Sequence, residues 1–208
     1  MNRRVLRLII GSLLLPLGCG GNDEPVGLDE PTGLDEPLVL QLTELCSDNP
    51  VTAIATFEDA NLEAAVRTEL GVGAQDDLTC GLVSGLTELA AEQAGLTSLV
   101  GIQNLTGLTI LGLSLNSITD ISALSGLTSL TFLRLSDNSI SDISALSGLT
   151  SLMFLDLSSN PNLTDIPPLL DNAGLGANDF VKLDGTNVSC ADVAALQAKG
   201  VTVESDCP

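Results

Sequence analysis

The side chains of this sequence that can do chemistry are carboxylates, cysteines and a few basic groups, because histidine is absent. Without histidine, neither a Ser–His or Cys–His nucleophile pair nor a histidine metal site can form. Asp120, Asp142 and Asp165 recur, but they hold equivalent positions in a repeated segment, which favours a role in turns over a catalytic carboxylate pair. The sequence contains no phosphate-binding loop and no metal-binding spacing. We therefore expect a protein that is not an enzyme and that uses no metal or other cofactor.

The five cysteines divide into Cys19, near the N-terminus, and two widely separated pairs. Cys46 and Cys80 flank one segment, and Cys190 and Cys207 flank another. Four cysteines allow three pairings, and only the local one keeps each disulfide within its own end of the chain. Disulfides are expected in an exported protein. A tetracysteine metal site is the alternative, although C-x-x-C spacing is missing.

Residues 1–18 have the parts of an export signal, in which three arginines accompany the apolar run Val5–Leu17. The run is too short to span a bilayer comfortably. The Gly-Cys pair that ends at Cys19 resembles a bacterial lipobox, although Pro16 stands where that motif usually has leucine. The resemblance implies lipid attachment at Cys19, a membrane contact through that anchor, and a place in the bacterial cell envelope, at the outer membrane or cell surface. Cleavage after Gly20 by an ordinary signal peptidase is the alternative.

Acidic residues dominate the rest of the chain, with 27 against 4 basic residues after the leader and a net charge of −23. Such a surface repels nucleic-acid phosphates, so nucleic acid is not an expected partner. Residues 19–44 contain the hexapeptide units D-E-P-V-G-L, D-E-P-T-G-L and D-E-P-L-V-L. We expect a disordered tether there, because charge repulsion and proline oppose regular structure.

A repeat of 22 residues starts at Leu86, runs through three units without gaps and enters a fourth unit at Leu152. Units two and three share L-x-L-S-x-N-S-I-x-D-I-S-A-L-S-G-L, which is the leucine-rich-repeat pattern. The alternating leucines predict a short strand whose apolar side faces inward. Asn116, Asn138 and Asn160 predict a structural ladder of amides that satisfies backbone groups in neighbouring coils. One coil cannot bury its own apolar face, so the coils must stack.

The repeat length and the D-I-S-A-L-S-G-L-T segments resemble the internalin-type repeats of bacterial surface proteins over about residues 86–190. The resemblance implies an α/β repeat solenoid, a curved leucine-rich-repeat structure with short parallel strands on the concave face and helical caps at both ends. Residues 57–70 predict a helix of the first cap, and a helix capped by Ser189 and running to Leu196 is expected in the second. The expected divisions are an N-terminal cap at 45–85, four leucine-rich repeats at 86–173 and a C-terminal cap at 174–208.

Three columns of side chains are expected to face outward from the concave sheet. Their members are Glu88, Ile110, Phe132 and Phe154; Ala90, Gly112, Arg134 and Asp156; and Glu92, Ser114, Ser136 and Ser158. Large apolar residues beside an arginine suit a ligand-binding site formed by Ile110, Phe132, Arg134, Phe154 and Asp156. The alternatives are rings that only pack across strands and an Arg134–Asp156 ion pair.

The interpretation that combines these features is a surface-exposed, lipid-anchored interaction module that binds a protein or glycan through its concave face. A passive structural component of the envelope, without a dedicated ligand, is the alternative. Four repeats make a small concave face, so we expect modest affinity for any partner.

Overall fold

Six short parallel strands lie side by side in sequence order in the computed structural model, which describes residues 37–208. They are β1 (Glu88–Ala90), β2 (Ile110–Gly112), β3 (Phe132–Arg134), β4 (Phe154–Asp156), β5 (Phe180–Lys182) and β6 (Thr202–Glu204). The expected signal peptide, the lipid attachment at Cys19 and the tether up to residue 36 lie outside the described residues. Within residues 37–208, every helix is too short or too polar to cross a membrane.

Apolar residues at the strand centres form one row through the core. The row consists of Leu89, Leu111, Leu133, Leu155, Val181 and Val203. All but the last are buried, because the alternation of side chains in a strand directs them away from the concave surface. Successive members lie 22 positions apart from β1 to β4, so each strand presents the same repeat position as its neighbour. This open stack of coils is the solenoid that the repeat predicts.

The N-terminal cap contains a 3₁₀ helix (Cys46–Asp48), α1 (Ala60–Leu70) and α2 (Cys80–Val83). Helix α1 begins three residues later than expected, because the backbone of Asp59 is extended. The Asp59 carboxylate caps the helix by accepting the Asn61 N–H at 2.9 Å. Gly71 ends the helix in the left-handed region, with φ of 66°. A disulfide joins Cys46 to Cys80, so the cap is closed on itself as the local pairing predicts.

Residues 37–44 pack against this cap, although the sequence analysis assigns them to the tether. Leu40 is only 2% exposed and contacts Cys80, and its N–H donates to the Ile54 carbonyl at 2.9 Å. Val39 forms a parallel bridge with Ile54. The assignment of this segment is therefore wrong. Its hexapeptide unit carries Val-Leu where the first two carry Gly-Leu, and the added apolar, β-branched side chain favours pairing with the cap.

The convex side of the coils is built from short helical turns. They are the 3₁₀ helices Ile102–Asn104, Ser122–Leu124 and Ser144–Leu146, followed by the α-helix α3 (Pro167–Asp171). The carboxylates of Asp120 and Asp142 accept the N–H groups of Ser122 and Ser144, each at 2.8 Å. Hydrogen bonding from the Ser122 N–H and hydroxyl holds the pKa of Asp120 below its usual value. Pro167 has no N–H to offer at the equivalent place, and its fixed φ suits the first turn of an α-helix instead.

Asn116, Asn138 and Asn160 form a ladder along the edge of the sheet. Their carbonyl oxygens accept the N–H groups of Leu96, Ile118 and Ile140, each in the preceding coil, at 2.9–3.0 Å. Their amide groups donate to carbonyls of their own coil and of the preceding one. Each asparagine therefore joins two coils and satisfies backbone groups that would otherwise be buried without partners.

The C-terminal cap is made of α4 (Cys190–Ala198) and strand β6. The Ser189 hydroxyl accepts the Asp192 N–H at 3.1 Å, as the capping pattern predicts, and the helix runs two residues beyond its expected end at Leu196. A disulfide joins Cys190 to Cys207. Strand β6 is not expected from the sequence, and it extends the sheet into the cap.

Lys199 fastens this cap to the last repeat. Its ammonium group donates to the carbonyls of Leu169, Leu170 and Asn172 at 3.0, 2.7 and 2.7 Å. These carbonyls lie at the end of α3, where a helix leaves acceptors unpaired. A positive charge at that position also opposes the negative end of the helix dipole.

Candidate ligand-binding face

A column of aromatic rings runs along the concave face, and it is longer than the sequence analysis predicts. The in-register residues are Ile110, Phe132, Phe154 and Phe180. The Phe132 and Phe154 rings stack with centroids 4.2 Å apart and planes within 8°, and Phe154 and Phe180 stack at 5.7 Å and 7°. Parallel pairing holds neighbouring strands about 4.8 Å apart, which suits parallel rings on adjacent strands.

Phe180 belongs to this column, although the column expected from the sequence ends at Phe154. It lies 26 positions after Phe154, because the coil between them has one extra residue near Pro161 and three more between α3 and β5, so a strict 22-residue spacing misses it. The detectable signal is the aromatic–apolar–charged triplet, since Phe-Val-Lys at β5 follows Phe-Leu-Asp at β4.

The stacked rings are half-buried, because their faces cover one another, while Ile110 at the end of the stack is 39% exposed. What remains accessible is a line of three ring edges over two strand spacings, or roughly 10 Å, with Ile110 one spacing beyond it. An apolar ridge of this kind on a sheet surface can contact the apolar side chains of a partner.

Arg134 packs on the aromatic column and does not pair with Asp156. Its guanidinium carbon lies 4.7 Å from the Phe132 ring centroid, a cation–π contact. The Asp156 carboxylate instead accepts the N–H and hydroxyl of Ser158, at 3.0 and 2.6 Å. The expected Arg134–Asp156 pair is therefore wrong, although the two residues are opposite one another in the register. The planar guanidinium matches the ring beside it, and the carboxylate is satisfied by its own turn.

Residues 37–208 contain two ion pairs, and the one on this face joins Lys182 to Glu204, with the ammonium 3.3 Å from the carboxylate. The hydrogen bond from the ammonium to Glu204, together with their charge attraction, raises the pKa of Lys182. This end of the face is therefore locally compensated, and Arg134 is the cation whose charge is left for a ligand.

The third column is partly withdrawn from the surface, contrary to expectation. Ser114 and Ser136 are 8% and 9% exposed, and the hydroxyl of Ser136 donates to that of Ser114 at 2.9 Å. The strands are three residues long, and the chain turns out of them through the positive-φ residues Leu115 and Asp137. At this bend the short side chains of Ser114 and Ser136 bond to one another.

Carboxylates surround a small depression where β1 and β2 meet α1. Its volume is about 170 Å³, and its lining includes Glu69, Glu88, Glu92, Phe132 and Arg134. Gly112 lies at its floor, where a Cβ would collide with the Glu92 carboxylate. This end of the concave face is therefore acidic, whereas its centre is aromatic. Within the part of the chain that the structure describes, no three potential metal ligands lie close enough together to hold an ion.

Comparison with known proteins agrees with this architecture. Residues 128–171 match the family model for leucine-rich repeats in two copies. The crystal structure of internalin C2 from Listeria monocytogenes is 33% identical and superposes with a TM-score of 0.63, covering 73% of this chain and 67% of internalin C2. This chain is an internalin-like leucine-rich-repeat protein. Internalin F of the same organism is 29% identical, with a TM-score of 0.56, and the match covers 72% of this chain and 51% of internalin F.

A search of curated protein sequences found no significant match. The internalin-like fold confirms the solenoid that the repeat predicts. Repeat solenoids of this kind offer an extended concave binding surface, and folds alone do not specify a ligand. The partner must therefore be inferred from the side chains of the face itself.

Proposed function

We propose that this protein is a lipid-anchored interaction module at the bacterial cell surface, which binds a protein partner through the aromatic column of its concave face. The observation that carries this proposal is the uninterrupted apolar column from Ile110 to Phe180 on an open sheet. Large apolar and aromatic residues beside an arginine are the composition of interaction hot spots.

The geometry of the rings favours a protein over a glycan. A sugar ring stacks on the face of an aromatic side chain, but here Phe154 covers one face of Phe132 and the Arg134 guanidinium lies over the ring. The accessible edges suit contact with leucine, methionine or aromatic side chains of a partner. A glycan would have to bind through the polar rim of the face.

The lipid anchor rests on the Gly-Cys motif at Cys19 and on the exported character that two disulfides imply. Acyl groups on Cys19 would hold the domain at the membrane through the acidic segment that follows. Expression with a radiolabelled fatty acid tests this, because label must enter the wild-type protein and be lost from Cys19→Ala. Cleavage after Gly20 without labelling would contradict the anchor.

The binding proposal is tested by affinity capture from bacterial and host extracts with full-length protein as bait. We expect a partner that the wild type retains and that Phe132→Ser/Phe154→Ser loses. The matched control is Leu115→Ser/Met153→Ser, which removes two exposed apolar residues outside the three columns. Both variants must remain folded at the temperature of the capture experiment, which their melting curves check. Equal recovery by all three proteins would contradict a concave binding site.

The passive structural role has one observation in its favour, because the rings also stabilise the stack of coils by burying one another. On this reading Phe132→Ser/Phe154→Ser lowers stability and leaves every interaction of the protein unchanged. The capture experiment and the melting temperatures together separate the two functions.

A further inference from the structure

A shallow groove of the N-terminal cap continues the concave surface beyond β1. Its volume is about 530 Å³, within the range of ligand-binding clefts. Glycines and leucines form most of the surface, and two carboxylates flank it: the lining is Glu69, Leu70, Gly81, Leu82, Gly85, Leu86, Thr87 and Glu88. Leu82 is 36% exposed, so the groove presents apolar area to solvent.

Glu69 and Glu88 connect this groove with the aromatic column. Both also line the acidic depression that reaches Phe132, so the two carboxylates stand between groove and column. Both side chains are exposed, and neither forms an ion pair or a side-chain hydrogen bond with another residue of the range 37–208. Their charges are therefore available to a ligand.

We propose that the cap groove is a second recognition site, which takes a basic segment of the protein bound by the concave face. In this arrangement an apolar side chain of the partner contacts Phe132, a lysine or arginine lies between Glu69 and Glu88, and a further apolar residue packs on Leu82. The inference rests on the proposed function, because the aromatic column supplies the other half of the contact. Charge complementarity and the continuity of the two surfaces support it.

A second copy of this chain does not fit the groove. Among residues 37–208 the basic side chains are four, and Arg67, Lys182 and Lys199 are engaged with Glu63, with Glu204 and with backbone carbonyls. The fourth is Arg134, which belongs to the concave face itself. An acidic molecule of this kind repels its own copies and attracts basic partners.

The test is a selection of phage-displayed dodecapeptides on the full-length protein. We expect the wild type to enrich peptides that combine lysine or arginine with neighbouring leucine or aromatic residues. Glu69→Gln/Glu88→Gln removes two exposed charges, and we expect it to lose the basic preference and to bind the best wild-type peptide about threefold to tenfold more weakly. The control Asp77→Asn/Asp171→Asn removes two exposed charges that line neither depression, and it must behave as the wild type.

Two further variants locate the contact. Leu82→Ser must select peptides with a weaker preference for apolar residues on one side of the basic residue. Phe132→Ser/Phe154→Ser must no longer bind the peptides that the wild type selects. The inference would be overturned if the selected peptides had no basic preference, or if Glu69→Gln/Glu88→Gln and its control bound the best peptide equally. The proposed function would still stand in that case, provided that peptide binding depends on Phe132 and Phe154. If the wild type bound the selected peptides no better than Phe132→Ser/Phe154→Ser does, both the inference and the proposed function would be overturned.

Discussion

Replacement of Asn138 by alanine is the sharpest test of how the coils are held together. Within residues 37–208, the Asn138 side chain is the acceptor for the Ile118 N–H, at 3.0 Å, and the asparagine is only 6% exposed. Its amide also donates to the carbonyls of Leu113, Leu135 and Ser136, at 3.0, 3.1 and 3.1 Å. These three carbonyls keep a second partner in the variant, since Asn116, Asn160 and the Leu115 N–H also donate to them, one to each.

The cost in free energy of unfolding therefore has one large part, the Ile118 N–H, and three small parts, the carbonyls. A buried N–H without a partner costs about 1–3 kcal/mol, and each carbonyl that keeps one of two hydrogen bonds loses less than about 1 kcal/mol. We expect Asn138→Ala to lower the free energy of unfolding by about 2–4 kcal/mol, a large fraction of the roughly 5–15 kcal/mol available to a domain.

Urea unfolding of the oxidised full-length protein measures this difference from the midpoint at unchanged slope. The control is Asn162→Ala, which removes an exposed asparagine of the next coil and should change stability by less than about 0.5 kcal/mol. Asn116→Ala should cost less than Asn138→Ala, because Asn116 is only half-buried. Equal midpoints for Asn138→Ala and Asn162→Ala would refute the view that the ladder carries stability between coils.

Three further changes test the caps. Cys190→Ser/Cys207→Ser opens a loop of 17 residues and should lower the free energy of unfolding by roughly 3 kcal/mol, and an unchanged urea midpoint would show that α4 and β6 hold the cap without the bond. Lys199→Met leaves three carbonyls without their charged donor and should lower the free energy of unfolding by about 1–3 kcal/mol in the same assay. The control Lys182→Met breaks one solvent-exposed ion pair and should lower it much less. Burial raises the pKa of Asp59, but N–H groups of the cap and of the first repeat that bond to its carboxylate outweigh this and lower it. A lowered pKa means that the Asp59 carboxylate stabilises the folded protein. This stabilisation is present above the ordinary aspartate pKa of about 3.9 and is lost as the pH falls through the lower pKa of the folded state. Asp59→Asn should therefore destabilise the protein at pH 7 and progressively less below pH about 4, and a difference that does not depend on pH would contradict this role.

Strand positions and the asparagine ladder could be predicted because the environment of each residue is set by its equivalent in the next coil. Leu111 and Leu133 have the same neighbours one coil apart, so a position that suits one suits the other. Stacking then repeats the same hydrogen bonds, and periodicity in the sequence becomes periodicity in the structure.

Features that depend on an interrupted period could not be predicted in this way. A 22-residue step from Phe154 leads to Gly176, whereas the aromatic column continues at Phe180, because the coil has one extra residue near Pro161 and three more between α3 and β5. Packing of the segment around Leu40 on the cap depends on Ile54 and Cys80, which no repeat relates to it. Non-local contacts of a cap have no periodic signal in the sequence.

The sequence also does not predict which of two nearby groups a charged side chain contacts. The strand register predicts that Arg134 lies opposite Asp156, and this is correct for the backbone. The side chains nevertheless found other contacts, since the Phe132 ring lies within reach of the guanidinium and Ser158 within reach of the carboxylate. Exposed ion pairs contribute about 0–1 kcal/mol, so a nearby ring or a local hydrogen bond is enough to displace one.

The size of the concave face limits the affinity that one molecule can have. The five spacings between six strands, at about 4.8 Å each, and three residues at about 3.3 Å give a flat area of roughly 240 Å², well below the roughly 800 Å² that each partner buries in a standard interface. We therefore expect micromolar dissociation constants for a monomer at the aromatic column alone, measured by titration calorimetry. Contact with the cap groove enlarges the interface, and many copies held on one membrane surface would raise the effective affinity without any new contact. Nanomolar binding by a monomeric Glu69→Gln/Glu88→Gln/Leu82→Ser variant would show that the area estimate omits a larger surface.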